Sequence, residues 1–308
     1  MATRSFELPA AAPFRLDLTV WALRRRAHNL VDRWDGETYR RVLVLRGEPV
    51  AVAVRQSGPP ERPRLWVEAR GPELPPEAPS FLRAILTRVL GLEVDLSSFY
   101  AWAREEPRLG PLVQRMRGLK PPRFPAVFEA LVNGIACQQL SLDVGIHLLN
   151  RLAGAWGQAL PGEKERAFPG PGDVSGATLE GLRGLGFSRA KGRALLELAQ
   201  AAAAGRFYPE KLEGLDDAKA LARLQAWRGV GRWTGEYVLL RGLGRWHIFP
   251  GDDVGARNKL QRWLNRTEPL DYEGVRRVTA AWHPYGGLVY LHFLLQGLAE
   301  AGHLAGVK

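Results

Sequence analysis

The chain has 308 residues, with 43 Lys and Arg against 32 Asp and Glu, a formal charge of +11 and a pI near 10.2. That balance points to a polyanionic partner, and the length allows two or three compact units. The single cysteine, Cys137, excludes an intrachain disulfide framework and any four-cysteine iron–sulfur or zinc site. It fits a reducing compartment. With neither a signal-like apolar core near the start nor a spanning apolar run, the expectation is a cytoplasmic, non-membrane, monomeric protein, nucleoid-associated if bacterial.

In chain order, residues 14–20 (FRLDLTV) alternate and predict a strand, and residues 21–30 a short helix carrying three arginines. Residues 41–46 and 50–55 flank Gly47-Glu48-Pro49, a hairpin signal, and residues 64–68 predict a third strand. Residues 79–90 have helical spacing. Residues 1–90 therefore predict an α+β unit, a curved antiparallel sheet with helices on one side. From residue 91 the pattern turns helical. Residues 128–152 carry apolar side chains at helical spacing, with a break near Ser141-Leu142-Asp143, and residues 178–183 and 189–203 form a pair. Ser188 is placed to cap the second of these and Gly205 to end it. Further helices are expected over 217–226, 234–240, 253–264, 272–281 and 288–299, packed as a bundle.

Gly229-Val230-Gly231 permits a sharp bend before a helix start near Thr234. Free N–H groups there, aided by the helix dipole, suit a phosphate oxygen; an ordinary helix–helix turn with a glycine cap is the alternative. Asp253 follows one helix and one loop later. Of the pair Asp252-Asp253, the first reads as a loop or cap carboxylate. A carboxylate beside an anomeric carbon stabilises the positive charge that builds as an N-glycosidic bond breaks, and it can orient or deprotonate a water. Trp233 and Tyr237, one turn apart, share a face and can stack on an extruded base, core packing being the alternative.

The run GVGRWTGEYVLLRGLG resembles the hairpin of the helix–hairpin–helix (HhH-GPD) DNA glycosylase superfamily. Residues 249–255 (FPGDDVG) resemble the FPxxDxG stretch of its alkylpurine branch, the 3-methyladenine DNA glycosylase II group. Cys137-Gln138-Gln139-Leu140-Ser141 is similar to that branch's GQQxS stretch, and Trp282-His283-Pro284-Tyr285 to its WxPW/Y stretch. The resemblance implies a TATA-binding-protein-like N-terminal domain (1–90) and a two-lobed helical HhH-GPD bundle (91–308). Lobe 1 would span about 115–240, with the hairpin at 224–240; lobe 2 would take 91–114 plus 241–308. It implies Asp253 as the catalytic carboxylate, Gly229, Val230, Gly231 and Thr234 as the phosphate grip, and Gln139 as the wedge that fills the gap left by a flipped nucleotide. Gln138 would contact the flipped base or support the pocket, the alternative being an internal amide network. Strand-nicking relatives hold a lysine where this chain has Trp233, so a monofunctional enzyme that uses water is expected.

The resemblance further implies a structural Na⁺ or K⁺ on the main-chain carbonyls of Gln225, Trp227 and Val230, with no cofactor required. One departure concerns the last helix, where Leu294 occupies a position that holds a large aromatic in some relatives; Tyr285 or Trp21 is the candidate replacement in the pocket wall. Ser188, Arg189 and Lys191 are candidates for backbone phosphates. The expected function is base-excision repair by removal of alkylated purines (3-methyladenine and 7-methylguanine type) from damaged double-stranded DNA. The alternatives are an oxidised-purine (8-oxoguanine type) glycosylase/lyase and a non-catalytic DNA-gripping protein.

Overall fold

The computed structural model describes residues 1–304. Its N-terminal unit is a five-stranded antiparallel sheet of β1 (Ala2–Leu8), β2 (Arg33–Trp34), β3 (Thr38–Leu45), β4 (Glu48–Ser57) and β5 (Arg64–Gly71), in the order β1-β5-β4-β3-β2. The β3–β4 turn consists of Arg46 and Gly47, with φ of 52° and 86°. Two successive left-handed residues match the twist of the flanking strands. Pro49 therefore leaves the expected turn and pairs with Val44 inside the ladder. The inward positions of β4 and β5 (Val50, Val52, Val54, Leu65, Val67, Ala69) are all buried, as a period of two requires.

Two elements differ from the sequence expectation. Residues 14–20 are no strand: α1 spans Leu16–Arg24. Its alternating look arises because the helix is buried on two sides. Leu16, Val20 and Leu23 join one core, while Leu18 and Ala22 join a second. Apolar residues on two faces of a helix mimic strand alternation. Strand β1 was not anticipated, because Phe6 and Leu8 are its only buried residues.

The helices are α2 (Ala78–Leu90), α3 (Ser97–Glu105), α4 (Leu109–Arg115), α5 (Val127–Cys137), α6 (Leu142–Trp156), α7 (Pro171–Ser175), α8 (Leu179–Gly184), α9 (Arg189–Ala203), α10 (Asp217–Gln225), α11 (Arg232–Arg241), α12 (Val254–Trp263), α13 (Tyr272–Thr279) and α14 (Gly286–Glu300). Ser188 caps α9, its hydroxyl accepting the Lys191 N–H, and Gly205 follows that helix with φ of 64°. The first core runs from the sheet through α5, α6, α9, α10 and α11; the second joins α3 and α4 to α12, α13 and α14. The architecture is thus an α+β sheet unit followed by a two-lobed helical region, with α1 wedged between the cores. Among the described residues, no helix is long and apolar enough to cross a membrane.

Candidate active site

The hairpin joins α10 to α11. Gly229 has φ of 77°, and a Cβ there would stand 2.7 Å from the Ala194 side chain on α9, so both conformation and contact require glycine. No side chain caps α11, whose N-cap is Gly231, whereas α6, α9, α10, α12 and α13 are each capped by their own Ser or Asp. The first-turn N–H groups of α11 are therefore open to an anion. Val230 and Thr234 do not present side chains to such an anion. Both are buried, and the Thr234 hydroxyl accepts a hydrogen bond from Gln138 Nε2 at 2.6 Å. The same nitrogen donates to the Gly229 carbonyl at 2.7 Å. Gln138 thus lies on the cleft wall with its amide hydrogens committed to the hairpin.

Gln139 occupies the turn between α5 and α6, exposed and left-handed at φ 52°, beside the exposed Leu140. Lys191 holds this turn from beneath, donating to the carbonyls of Ala136 at 2.9 Å and Gln138 at 2.7 Å. A lysine read as a phosphate contact instead satisfies the orphan carbonyls at the end of α5.

Asp253 is the N-cap of α12. Its Oδ1 accepts the Ala256 N–H at 2.8 Å, while its Oδ2 accepts Trp233 Nε1–H at 3.2 Å and the Tyr290 hydroxyl at 3.0 Å. Burial, and then the Asp253 charge, push Tyr290 well above the usual phenol range, so it remains a donor. Trp233 stacks on Tyr237 with centroids 5.6 Å apart and planes at 27°. These side chains line one cleft of about 1030 Å³ between the two lobes, together with Leu294.

The loop before Asp253 is tied to α11 by a separate network. The Glu236 carboxylate accepts the Gly251 N–H at 3.1 Å and the Tyr272 hydroxyl at 2.6 Å. Burial raises the Glu236 carboxyl, and burial together with Glu236 pushes Tyr272 up to about 12. Arg232 donates to Asp252 at 2.7 Å and lies over the Tyr272 ring. Asp252 also borders the cleft, but as a loop carboxylate paired with Arg232.

Tyr285 is not at the cleft. It packs on Phe99 and Trp102, with centroids 5.5 and 5.2 Å away, because it precedes α14 and faces α3. Trp21 stacks on His303 and carries the Arg24 guanidinium. The last helix brings two aromatic side chains to the cleft, Phe293 and Tyr290, the latter one turn before Leu294 and on the same face. Sequence reasoning missed Tyr290, although the i, i+4 relation to Leu294 pointed there. It also missed Arg25, which ends α1 in a left-handed conformation (φ 62°) and lines the cleft. A non-glycine residue at positive φ leaves no mark in composition or periodicity.

Residues 132–284 match the family model described as HhH-GPD superfamily base excision DNA repair protein. The chain belongs to the HhH-GPD superfamily. It is similar to the DNA-3-methyladenine glycosylase 2 of Escherichia coli K12, 32% identical over 60% of this chain and 62% of the relative. It is also similar to the DNA-3-methyladenine glycosylase of Bacillus subtilis strain 168, 28% identical over 62% and 64% respectively. The chain spans a little under two thirds of these relatives. Among solved structures, the 3-methyladenine DNA glycosylase of Archaeoglobus fulgidus superimposes with a TM-score of 0.80 at 26% identity, over 95% of this chain and 97% of that one. The HhH-GPD stretch contains the hairpin, Gln138, Gln139 and Asp253, but Arg25, Tyr290 and Leu294 lie outside it. The cleft is composite, with one wall supplied by α1 and α14.

Proposed function

We propose that this HhH-GPD protein is a monofunctional DNA glycosylase that removes alkylated purines from duplex DNA and leaves an abasic site. The observation that carries this reading is the Asp253 carboxylate, fixed by Ala256, Trp233 and Tyr290 at the edge of a cleft walled by stacked Trp233 and Tyr237. A flipped base stacks on the aromatic wall, and an electron-poor alkylated purine gains most from those faces. Asp253 stabilises the cationic sugar as the glycosidic bond lengthens and orients the attacking water. The open N–H groups of α11 hold a backbone phosphate without reading sequence. Exposed Gln139 fills the place of the extruded nucleotide.

Trp233 supports the monofunctional assignment, since an indole supplies no amine for a Schiff base. A monovalent cation on the carbonyls of Gln225, Trp227 and Val230 would pin the hairpin. The donor set is hard oxygen and suits Na⁺ or K⁺. The Trp227 carbonyl already accepts the Val230 N–H at 3.1 Å and retains one lone pair for the ion. The cation would take no part in bond cleavage.

Incubation with duplex DNA carrying a single 7-methylguanine tests this reading. It predicts strand cleavage only after alkali treatment. A covalent protein–DNA adduct trapped by borohydride would contradict the water mechanism.

A further inference from the structure

The turn that carries Gln139 is tied on two sides to the α10–α11 hairpin, and the ties form a closed circuit. On α9, Lys191 and Ala194 stand three positions apart on one face. Lys191 Nζ donates to the carbonyls of Ala136 and Gln138, at 2.9 and 2.7 Å. Ala194 meets Gly229 so closely that a Cβ on the glycine would stand 2.7 Å from its side chain. The Gln138 side chain closes the circuit. Its Nε2 donates to the Gly229 carbonyl at 2.7 Å and to the Thr234 hydroxyl at 2.6 Å. One turn earlier on α5, a Cβ on Gly134 would stand 2.8 Å from the Thr234 methyl, so α5 and α11 touch there as well. The turn itself has no slack. A Cβ on Gly145 of α6 would stand 2.6 Å from Cys137 Sγ, and Ser141 caps α6 by accepting the Val144 N–H at 3.3 Å. Between these fixed ends Gln139 is exposed at φ 52°, a conformation uncommon for a residue with a side chain.

The hairpin, α9 and the Gln139 turn are thereby joined as one body. A backbone phosphate seated on the first-turn N–H groups of α11 fixes the hairpin on the DNA, and the turn then has one position relative to that phosphate. Extruding a nucleotide costs its pairing and stacking. A side chain that fills the gap offsets this cost only where it enters in register, and a misplacement of about 1 Å is enough to cost about 10²-fold in rate. Lys191 does more than satisfy the end of α5. One of the two carbonyls it holds, that of Gln138, stands immediately before Gln139 and sets the direction in which the turn projects. Resting on the reading of this cleft as a glycosylase site, we infer that Lys191, with the Gln138 side chain as its strut, is a positioning residue that sets Gln139 in register with the phosphate grip. Seating the phosphate and filling the gap then become one step.

The test is a double-mutant cycle read as single-turnover release of 7-methylguanine from duplex DNA at saturating protein. It uses the native protein, Lys191→Met, Gln139→Ala and the double variant. Lys191→Met is expected to slow release about tenfold or more in the native background, and by less than about twofold in the Gln139→Ala background. A wedge already removed cannot be misplaced, whereas a lysine that serves only the stability of the fold costs the same factor in both backgrounds. An equal loss in the two backgrounds, or no loss in the native background, would overturn the role of Lys191 and leave the glycosylase reading standing. No release of 7-methylguanine by the native protein would overturn both. If Lys191→Met fails to fold, Gln138→Leu takes its place in the cycle. It cuts the tie from the turn to Gly229 and Thr234, the same pattern is expected, and equal losses would again overturn the inference.

Discussion

The chemistry at the residue scale turns on how Asp253 is held. One oxygen is spent on the α12 N-cap, and the other meets two donors from different elements, Trp233 of α11 and Tyr290 of α14. A hydrogen bond to a charged group contributes about 1.5–3 kcal/mol. If Tyr290 positions the carboxylate, Tyr290→Phe is expected to lower single-turnover release of 7-methylguanine by about tenfold or more; release at the native rate would show that Trp233 and the cap suffice. Much of this site was legible in the sequence. The hairpin glycines and the Trp233–Tyr237 face could be read from turn chemistry and spacing, whereas the choice of Asp253 over Asp252 rested on the resemblance to the FPxxDxG stretch. Tyr285 was the wrong tyrosine because an aromatic beside a proline-bearing turn draws attention, while Tyr290 lies unmarked inside an apolar helix. Thr234 and Gln138 look like ligand contacts in sequence, yet they bond to one another, and no local pattern reveals a pairing across 96 positions.

Among the elements, α14 and α1 build the wall that motifs do not describe. His292 of α14 is fully buried against Phe99, and its Nδ1 is bonded to the Leu288 carbonyl. Burial pushes its pKa down from 6.5 to about 4. The unfolded chain therefore binds a proton that the folded chain refuses between about pH 6.5 and 4. Stability from this residue is complete above pH 6.5 and is lost as pH falls through that window, by about 3 kcal/mol in all. Urea unfolding of the native protein and of His292→Gln at pH 7 and pH 4.5 measures it; the variant should lose less stability on acidification, and parallel losses would contradict the assignment. Helix α1 shows where sequence reading fails at this scale. Its two buried faces serve two cores, and a helix without a polar side has no period to detect. The β3–β4 hairpin was foreseen but placed one step late, since proline resembles a turn residue even when it pairs in a strand.

The sheet unit and the helical lobes act as one molecule through buried charge. Arg41 of β3 donates to Asp32 at 2.7 Å and to Glu129 of α5 at 2.5 Å, and the Tyr39 hydroxyl also bonds Asp32 at 2.8 Å. All four side chains are buried, so Arg41→Met strands two carboxylates without a counterion. The expected destabilisation is about 3–5 kcal/mol at pH 7. It should shrink toward pH 4 as the Glu129 carboxyl, raised by burial, takes up a proton, and urea titrations at the two pH values would show it; a loss below about 1 kcal/mol would mean water reaches the site. The sheet therefore serves the cleft indirectly, by fixing α1 and α5, whose ends carry Arg25 and Gln139. The net charge of +11 favours a polyanionic partner, and the proposed reaction belongs to the cleft that the lobes share.

The central claim is that Asp253 breaks the glycosidic bond with water. Asn is as good a helix N-cap as Asp, so Asp253→Asn keeps α12 while removing the charge. The decisive measurement is release of 3-methyladenine and 7-methylguanine from methylated duplex DNA by the native protein and by this variant, with DNA affinity determined in parallel. The account predicts release by the native protein and a loss of about 10²-fold or more in the variant, with binding retained. Equal release by both proteins, or binding without release by the native protein, would contradict it.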